Sequence, residues 1–116
     1  MDEFEYVIGE KEDVVIILFQ GRIGGREAPS FETLAEELKG KSQTNLIFDF
    51  RNVSHILPAT NAMFAKFLRS LRDANKVVAF SSLKPDFKNI MIAGIIKKSE
   101  IFNNIPDAWK KLSSKS

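Results

Sequence analysis

Few side chains along this chain have the type and spacing to act on another molecule. In residues 54–62, SHILPATNA, the polar Ser54, His55, Thr60 and Asn61 fall between an apolar run, LIFDF, and a helical pattern, MFAKFLRSLRDA. Strand-to-helix junctions of this kind are where α/β domains often place chemistry or recognition. Here no nucleophile has a base beside it. His55 is the only histidine, so no His-based metal cluster and no triad can be built around it. Thr60 has the type and position to cap the helix that follows, accepting a hydrogen bond from an N–H two or three residues on. Asp49 sits inside an apolar strand pattern, where an unpaired carboxylate is costly. It reads as a structural acceptor near the strand end or as a group that shapes the junction loop.

Gly21, Gly24 and Gly25 have the spacing G-x-x-G-G, which is neither a Walker loop nor a dinucleotide fingerprint. A tight turn is the expectation, with Arg22 and Arg26 available to an acidic partner or a phosphate. Lys66, Arg69, Arg72 and Lys76 recur at helical spacing. They read as a solvated face or as a surface for an acidic partner. Nucleic acid is disfavoured, because exposed aromatics do not interleave with the charges. No pair of titratable groups stands at a spacing usable for acid–base work, so no catalytic residue is expected.

The elements that position these residues follow from composition and periodicity. The 116 residues suffice for one domain with one core. Hydrophobic residues make up 44% and charged ones 28%, as in soluble globular proteins. Ten Phe against one Trp and one Tyr point to a Phe-filled core. There is no cysteine, hence no disulfide or thiolate site, and a reducing cytoplasm is compatible. The net charge of +2 does not argue for nucleic acid. No apolar run approaches the roughly 20 residues that span a bilayer. The acidic start MDEFEYVIGE lacks the order of a signal peptide, so no leader and no membrane insertion are expected.

Phe4, Tyr6 and Ile8 alternate with Glu3, Glu5 and Val7, as in a half-buried strand. Residues 9–13 read as a polar turn. The six apolar residues 14–19 read as a strand buried on both faces, forming an antiparallel hairpin with the first. Phe31, Leu34, Ala35 and Leu38 mark a helix from about Pro29, with Gly40 suited to a left-handed C-terminal position. Residues 46–50 are the next strand. Met63, Phe64, Phe67, Leu68 and Leu71 form the apolar stripe of the second helix. A strand over 77–80 follows, then a short helix over 87–92 stopped by Gly94, a last strand at 101–102 and a closing helix lined by Ile105, Ala108, Trp109 and Leu112. This β-β-α-β-α-β-α-β-α order implies a largely parallel sheet plus one antiparallel pair.

That order resembles the STAS domain, the family of cytoplasmic domains of sulfate transporters and of anti-sigma factor antagonists. The likeness rests on NLIFDFRNVSHI before the second helix, SLKPDFKNIMIAGIIKKSEIFNNIPDAW at the end and VVIILFQGRIGGREAPSFETLAEEL in the first half. It covers roughly residues 5–112. It implies a single-domain α/β fold over residues 1–112, with a mixed, mainly parallel sheet of four to five strands, about four helices and a frayed tail at 113–116. It also implies a domain with no catalytic role of its own; from the residues, no cofactor and no metal are expected, and a bound nucleotide or lipid is left open. In the bacterial antagonists the domain binds a kinase-type anti-sigma factor, which phosphorylates a Ser at the start of the second helix. The phosphoryl group breaks the complex and a phosphatase restores it.

The family's pattern there is an apolar residue, Asp, Ser, Ser, Gly, with the second Ser modified. In this chain those positions hold Ile56, Leu57, Pro58, Ala59 and Thr60. Ala59 has no side-chain oxygen to modify; Thr60, the nearest hydroxyl, is the candidate for a displaced phosphoacceptor, with Ser54, Ser81 and Ser82 left open as other sites of regulation. Gly24 stands where the family often has Asp. Ile56 is expected to point inward. Leu57, beside Pro58 and Ala59, is expected to form an apolar knob that docks a partner permanently, so that Leu57→Asp weakens binding and spares the fold. The expected partner surface is His55, Leu57, Pro58, Ala59, Thr60 and Asn61, with Arg22 and Gly24 from the neighbouring loop. The expected function is a cytoplasmic regulatory module that binds a kinase-type anti-sigma factor or a related regulator without the Ser switch. The alternative is an accessory subunit on the cytoplasmic side of a membrane transporter. Homodimerisation is left open.

Overall fold

Strand alternation decides the layering of the molecule, because successive side chains on a strand point to opposite faces. The computed structural model describes residues 3–92 and 95–113. Its strands are β1 (Glu5–Lys11), β2 (Val14–Ile23), β3 (Asn45–Ile56), β4 (Val77–Ser81) and β5 (Ile101–Phe102); its helices are α1 (Ala28–Lys39), α2 (Asn61–Asp73), α3 (Pro85–Ile92) and α4 (Ile105–Ser113). They follow one another in the expected order. The five strands form one sheet in the order β1-β2-β3-β4-β5. β1 and β2 are antiparallel and every other neighbouring pair is parallel.

Val15, Ile17 and Phe19 of β2, Leu46, Phe48 and Phe50 of β3, and Val78 and Phe80 of β4 face one side. There they meet Phe31, Leu34 and Leu38 of α1 and Phe64, Phe67, Leu68 and Leu71 of α2, with Phe87 of α3. Val14, Ile47 and Ala79 face the other side and meet Ala108 and Leu112 of α4. Phe19 stacks on Phe48 at 5.5 Å and Phe48 on Phe80 at 5.8 Å, so a row of rings crosses three neighbouring strands. Offset ring pairs of this sort add to the burial of apolar area as a source of stability.

Several boundaries differ from the sequence expectation. β1 runs on to Lys11, opposite Val14. The turn shrinks to Glu12 and Asp13, with Glu12 left-handed at φ 56°. β2 continues through Gly21 to Ile23 rather than breaking at the glycines. Gly21 has φ +88°, and a Cβ there would lie 2.0 Å from the Glu3 carbonyl oxygen, so the N-terminal segment crosses where only glycine fits. β3 is twelve residues long and includes Ser54, His55 and Ile56. Register shifts between Leu18 and Gln20 and between Gly21 and Arg22 keep it paired to the end of β2. Gly40 is right-handed, at φ −77°, because the Lys41 N–H still donates back to the Leu38 carbonyl at 3.2 Å. Gly94, expected to stop the third helix, lies outside the described residues, as do 114–116 of the expected tail; Ser113 closes α4.

Candidate functional site

The ends of β2 and β3 bring the two loops singled out in the sequence side by side. Arg22 lies opposite His55 and Ile23 opposite Ile56. The Leu57 N–H then donates to the Ile23 carbonyl at 3.1 Å, extending the ladder one step past the strands. Residues Pro58–Thr60 form a single 3-10 turn, and α2 starts at Asn61. Pro58 suits that first turn because it has no N–H to leave unpaired.

The eight residues expected to meet a partner divide by exposure. Arg22, His55, Pro58 and Ala59 are exposed, Leu57 and Asn61 are half-buried, and Gly24 and Thr60 are buried. Ile56 points inward, at 5% exposure. Leu57 is not the projecting knob that the sequence suggested. Its Cδ1 lies 3.3 Å from where a Cβ on Gly24 would stand, so the missing side chain at Gly24 makes the seat into which Leu57 folds. The apolar step left outside is Pro58 and Ala59. Leu57→Asp therefore disturbs this seat as well as the surface.

Thr60 also differs from expectation. It occupies the position before α2, but its side chain caps no N–H. Its hydroxyl donates to the Leu57 carbonyl at 2.7 Å, and its N–H donates to the same oxygen at 3.0 Å. The 3-10 turn sets that carbonyl closer to the hydroxyl than the N–H groups ahead. With 0% exposure, the Thr60 oxygen does not face solvent. Nearby, Ser54 Oγ and Asn61 Oδ1 are buried without a hydrogen-bond partner.

Asp49 serves the structural role. It is 4% exposed and lies opposite Ser81, whose hydroxyl donates to it at 2.8 Å. The Arg51 N–H adds a bond at 3.3 Å. The basic stripe does not survive as four free cations. The Arg72 guanidinium donates to both carboxylate oxygens of Glu100, at 2.8 and 3.0 Å, and to the Ile95 carbonyl at 3.1 Å. Lys76 is 9% exposed and its ammonium donates to the Lys41 and Gln43 carbonyls, each at 2.7 Å. Lys66 and Arg69 remain exposed.

Sequence reasoning missed an open groove of about 490 Å³ between α1 and α2. Phe31, Ala35, Met63 and Phe67 line it, with Glu32 and Glu36 on the α1 side and Lys66 on the α2 side. The one signal for it was Met63, at the edge of the apolar stripe and only half-buried. Among the described residues, no group of three or more His, Asp or Glu could hold a metal ion, and no helix is long and apolar enough to cross a membrane.

Compared by sequence, the chain matches no protein-family model and no curated protein. Compared by structure, it matches an anti-sigma-factor antagonist (STAS) domain protein from Planctomyces limnophilus with a TM-score of 0.73 and 13% identity, over 93% of this chain and 97% of that one. The fold is that of the STAS domain. A second match is an anti-sigma factor antagonist from Mycobacterium paratuberculosis, at TM-score 0.79 and 15% identity, over 97% of this chain and 96% of that one. A third is the murine Solute Carrier 26 family member A9 anion transporter in its inward-facing state, at TM-score 0.77 and 18% identity. The STAS fold of this chain covers 91% of itself but 18% of that transporter. Helix and strand order, the mainly parallel sheet and the four helices thus agree with the fold expected from sequence.

Proposed function

We propose that this STAS-fold protein is a regulatory binding module that docks a protein partner through the corner where β3 turns into α2. The observation that carries the proposal is the exposed Pro58–Ala59 step, flanked by the exposed His55 and Arg22. Apolar surface rimmed by polar groups marks contact sites. The partner is a kinase-type anti-sigma factor or a related regulator. In this reading the module works in the cytoplasm, uses no cofactor and performs no reaction of its own.

Docking here runs without the Ser switch. A phosphoryl group would add close to two negative charges at the corner, but Ala59 offers no hydroxyl and the Thr60 hydroxyl is bonded inside. The corner is then constitutively apolar, and occupancy is set by partner concentration. The transporter match favours a second reading: an accessory subunit docked on the cytoplasmic side of a membrane transporter.

The test is affinity purification from the native cell with the parent chain and with Ala59→Asp, which mimics the missing charge at an exposed site. The expected result is a kinase-type regulator captured by the parent and lost at least about tenfold by the variant, with an unchanged melting temperature. Capture of membrane ATPase subunits moves the assignment to the second reading. Equal capture by both chains removes the corner as the docking point.

A further inference from the structure

The outer edge of β1 has no strand beside it among the described residues, since β1 ends the sheet and pairs only with β2. We propose that this edge pairs with the same edge of a second copy of the chain, antiparallel and two-fold symmetric, joining two sheets into one. An edge strand exposes a row of unpaired N–H and C=O groups and is a template for another strand. Two-fold pairing is isologous, so every contact away from the axis occurs twice.

The charges along β1, EYVIGEK, select one register. The only antiparallel register that pairs all seven residues is centred on Ile8. It sets Glu5 of one copy opposite Lys11 of the other, twice. It also sets Val7 opposite Gly9, which has no side chain to obstruct it. A slip of one residue puts Glu5 opposite Glu10, and parallel in-register pairing puts each charge on its like. Like charges directly opposite destabilise a strand pair and unlike ones stabilise it.

The exposed face of β1 supports the same arrangement. Glu5, Val7, Gly9 and Lys11 share one face and all are exposed, while Tyr6 and Ile8 pack toward the core. Val7, at 56%, is the most exposed large apolar residue among those described. In the Ile8-centred register it becomes the diagonal neighbour of its own counterpart, covering both. Glu5 accepts a hydrogen bond from Gln20 at 2.8 Å, and the Lys11 ammonium lies 4.7 Å from the Trp109 ring centre. Neither has an ion-pair partner among the described residues. None of residues 5–11 belongs to the 57–60 corner, so each copy in the dimer keeps its own corner.

Sedimentation velocity over a concentration series to the millimolar range tests this directly. The parent chain is expected to dimerise. Glu5→Lys and Lys11→Glu should each weaken self-association by about tenfold or more, because two attractive pairs become two repulsive ones. Mixing the two variants in equal amounts should restore the dimer, since the new lysine of Glu5→Lys then meets the new glutamate of Lys11→Glu, and the Lys11 of the first meets the Glu5 of the second, so both pairs are attractive again. Val7→Lys, which leaves both charges and the Trp109 contact in place, should also give monomers. A parent chain that stays monomeric overturns the proposal. So does a reversal variant that dimerises like the parent, or a mixture that fails to recover the dimer.

Discussion

Thr60 offers a direct way to separate structural from regulatory roles at the corner. Its hydroxyl is buried and donates to the Leu57 carbonyl at 2.7 Å, but that carbonyl also receives the Thr60 N–H at 3.0 Å. Thr60→Val keeps the volume and removes one hydrogen bond without orphaning the acceptor. It should cost about 1 kcal/mol, the net worth of one such bond. Thr60→Ala also removes a buried methyl, worth about 0.8 kcal/mol more. Thr60→Asp places a carboxylate at a site with 0% exposure, where no cation is hydrogen-bonded. An uncompensated buried charge costs about 3–5 kcal/mol, so this variant should be the least stable of the three. Urea unfolding of the four chains measures the order. If Thr60→Asp is as stable as the parent, the turn opens readily. The buried hydroxyl is then available to a kinase, and the account of a closed corner fails.

Other substitutions follow from the same contacts. Gly21→Ala places a methyl 2.0 Å from the Glu3 carbonyl oxygen at a φ of +88°. Relief requires lifting Phe4 from Phe31 and Phe19, 4.9 and 5.4 Å away, so the loss should be about 3 kcal/mol by chemical denaturation. Lys76→Met keeps the aliphatic stem but strands two carbonyls and should cost about 1–3 kcal/mol in the same assay. The Glu10 carboxyl is held below its ordinary value of 4.5, first by the hydrogen bond from Gln43 and then by Lys41. A lowered folded pKa means that its contribution is complete above pH 4.5 and fades as pH falls through the folded value. Glu10→Gln should therefore flatten the acid limb of a stability–pH curve slightly, and an unchanged slope would contradict the pairing.

Helix faces were legible because buried apolar residues recur at helical spacing, as Phe64, Phe67, Leu68 and Leu71 do on α2. The end of β3 was not, because the shifted register with β2 breaks the period-two pattern just where Asn52 and Ser54 suggest a loop. Periodicity names the side of a helix a residue occupies but not what later covers it. Arg72 read as solvated because its partner Glu100 arrives 28 residues on. Thr60 read as a cap because residue type alone does not reveal the turn at Pro58 that redirects its hydroxyl. At the corner, the exposure of Pro58 and Ala59 lay within reach of sequence. The seat for Leu57 over Gly24 did not, since it joins residues 33 positions apart.

The sheet's spatial order repeats the order of synthesis, from β1 to β5 without exchange. Each strand emerging from the ribosome can therefore join an edge already in place, and none has to be threaded between two neighbours that have closed. The growing edge moves steadily from β2 toward β5, so the apolar rim left open at any moment is a single strand wide.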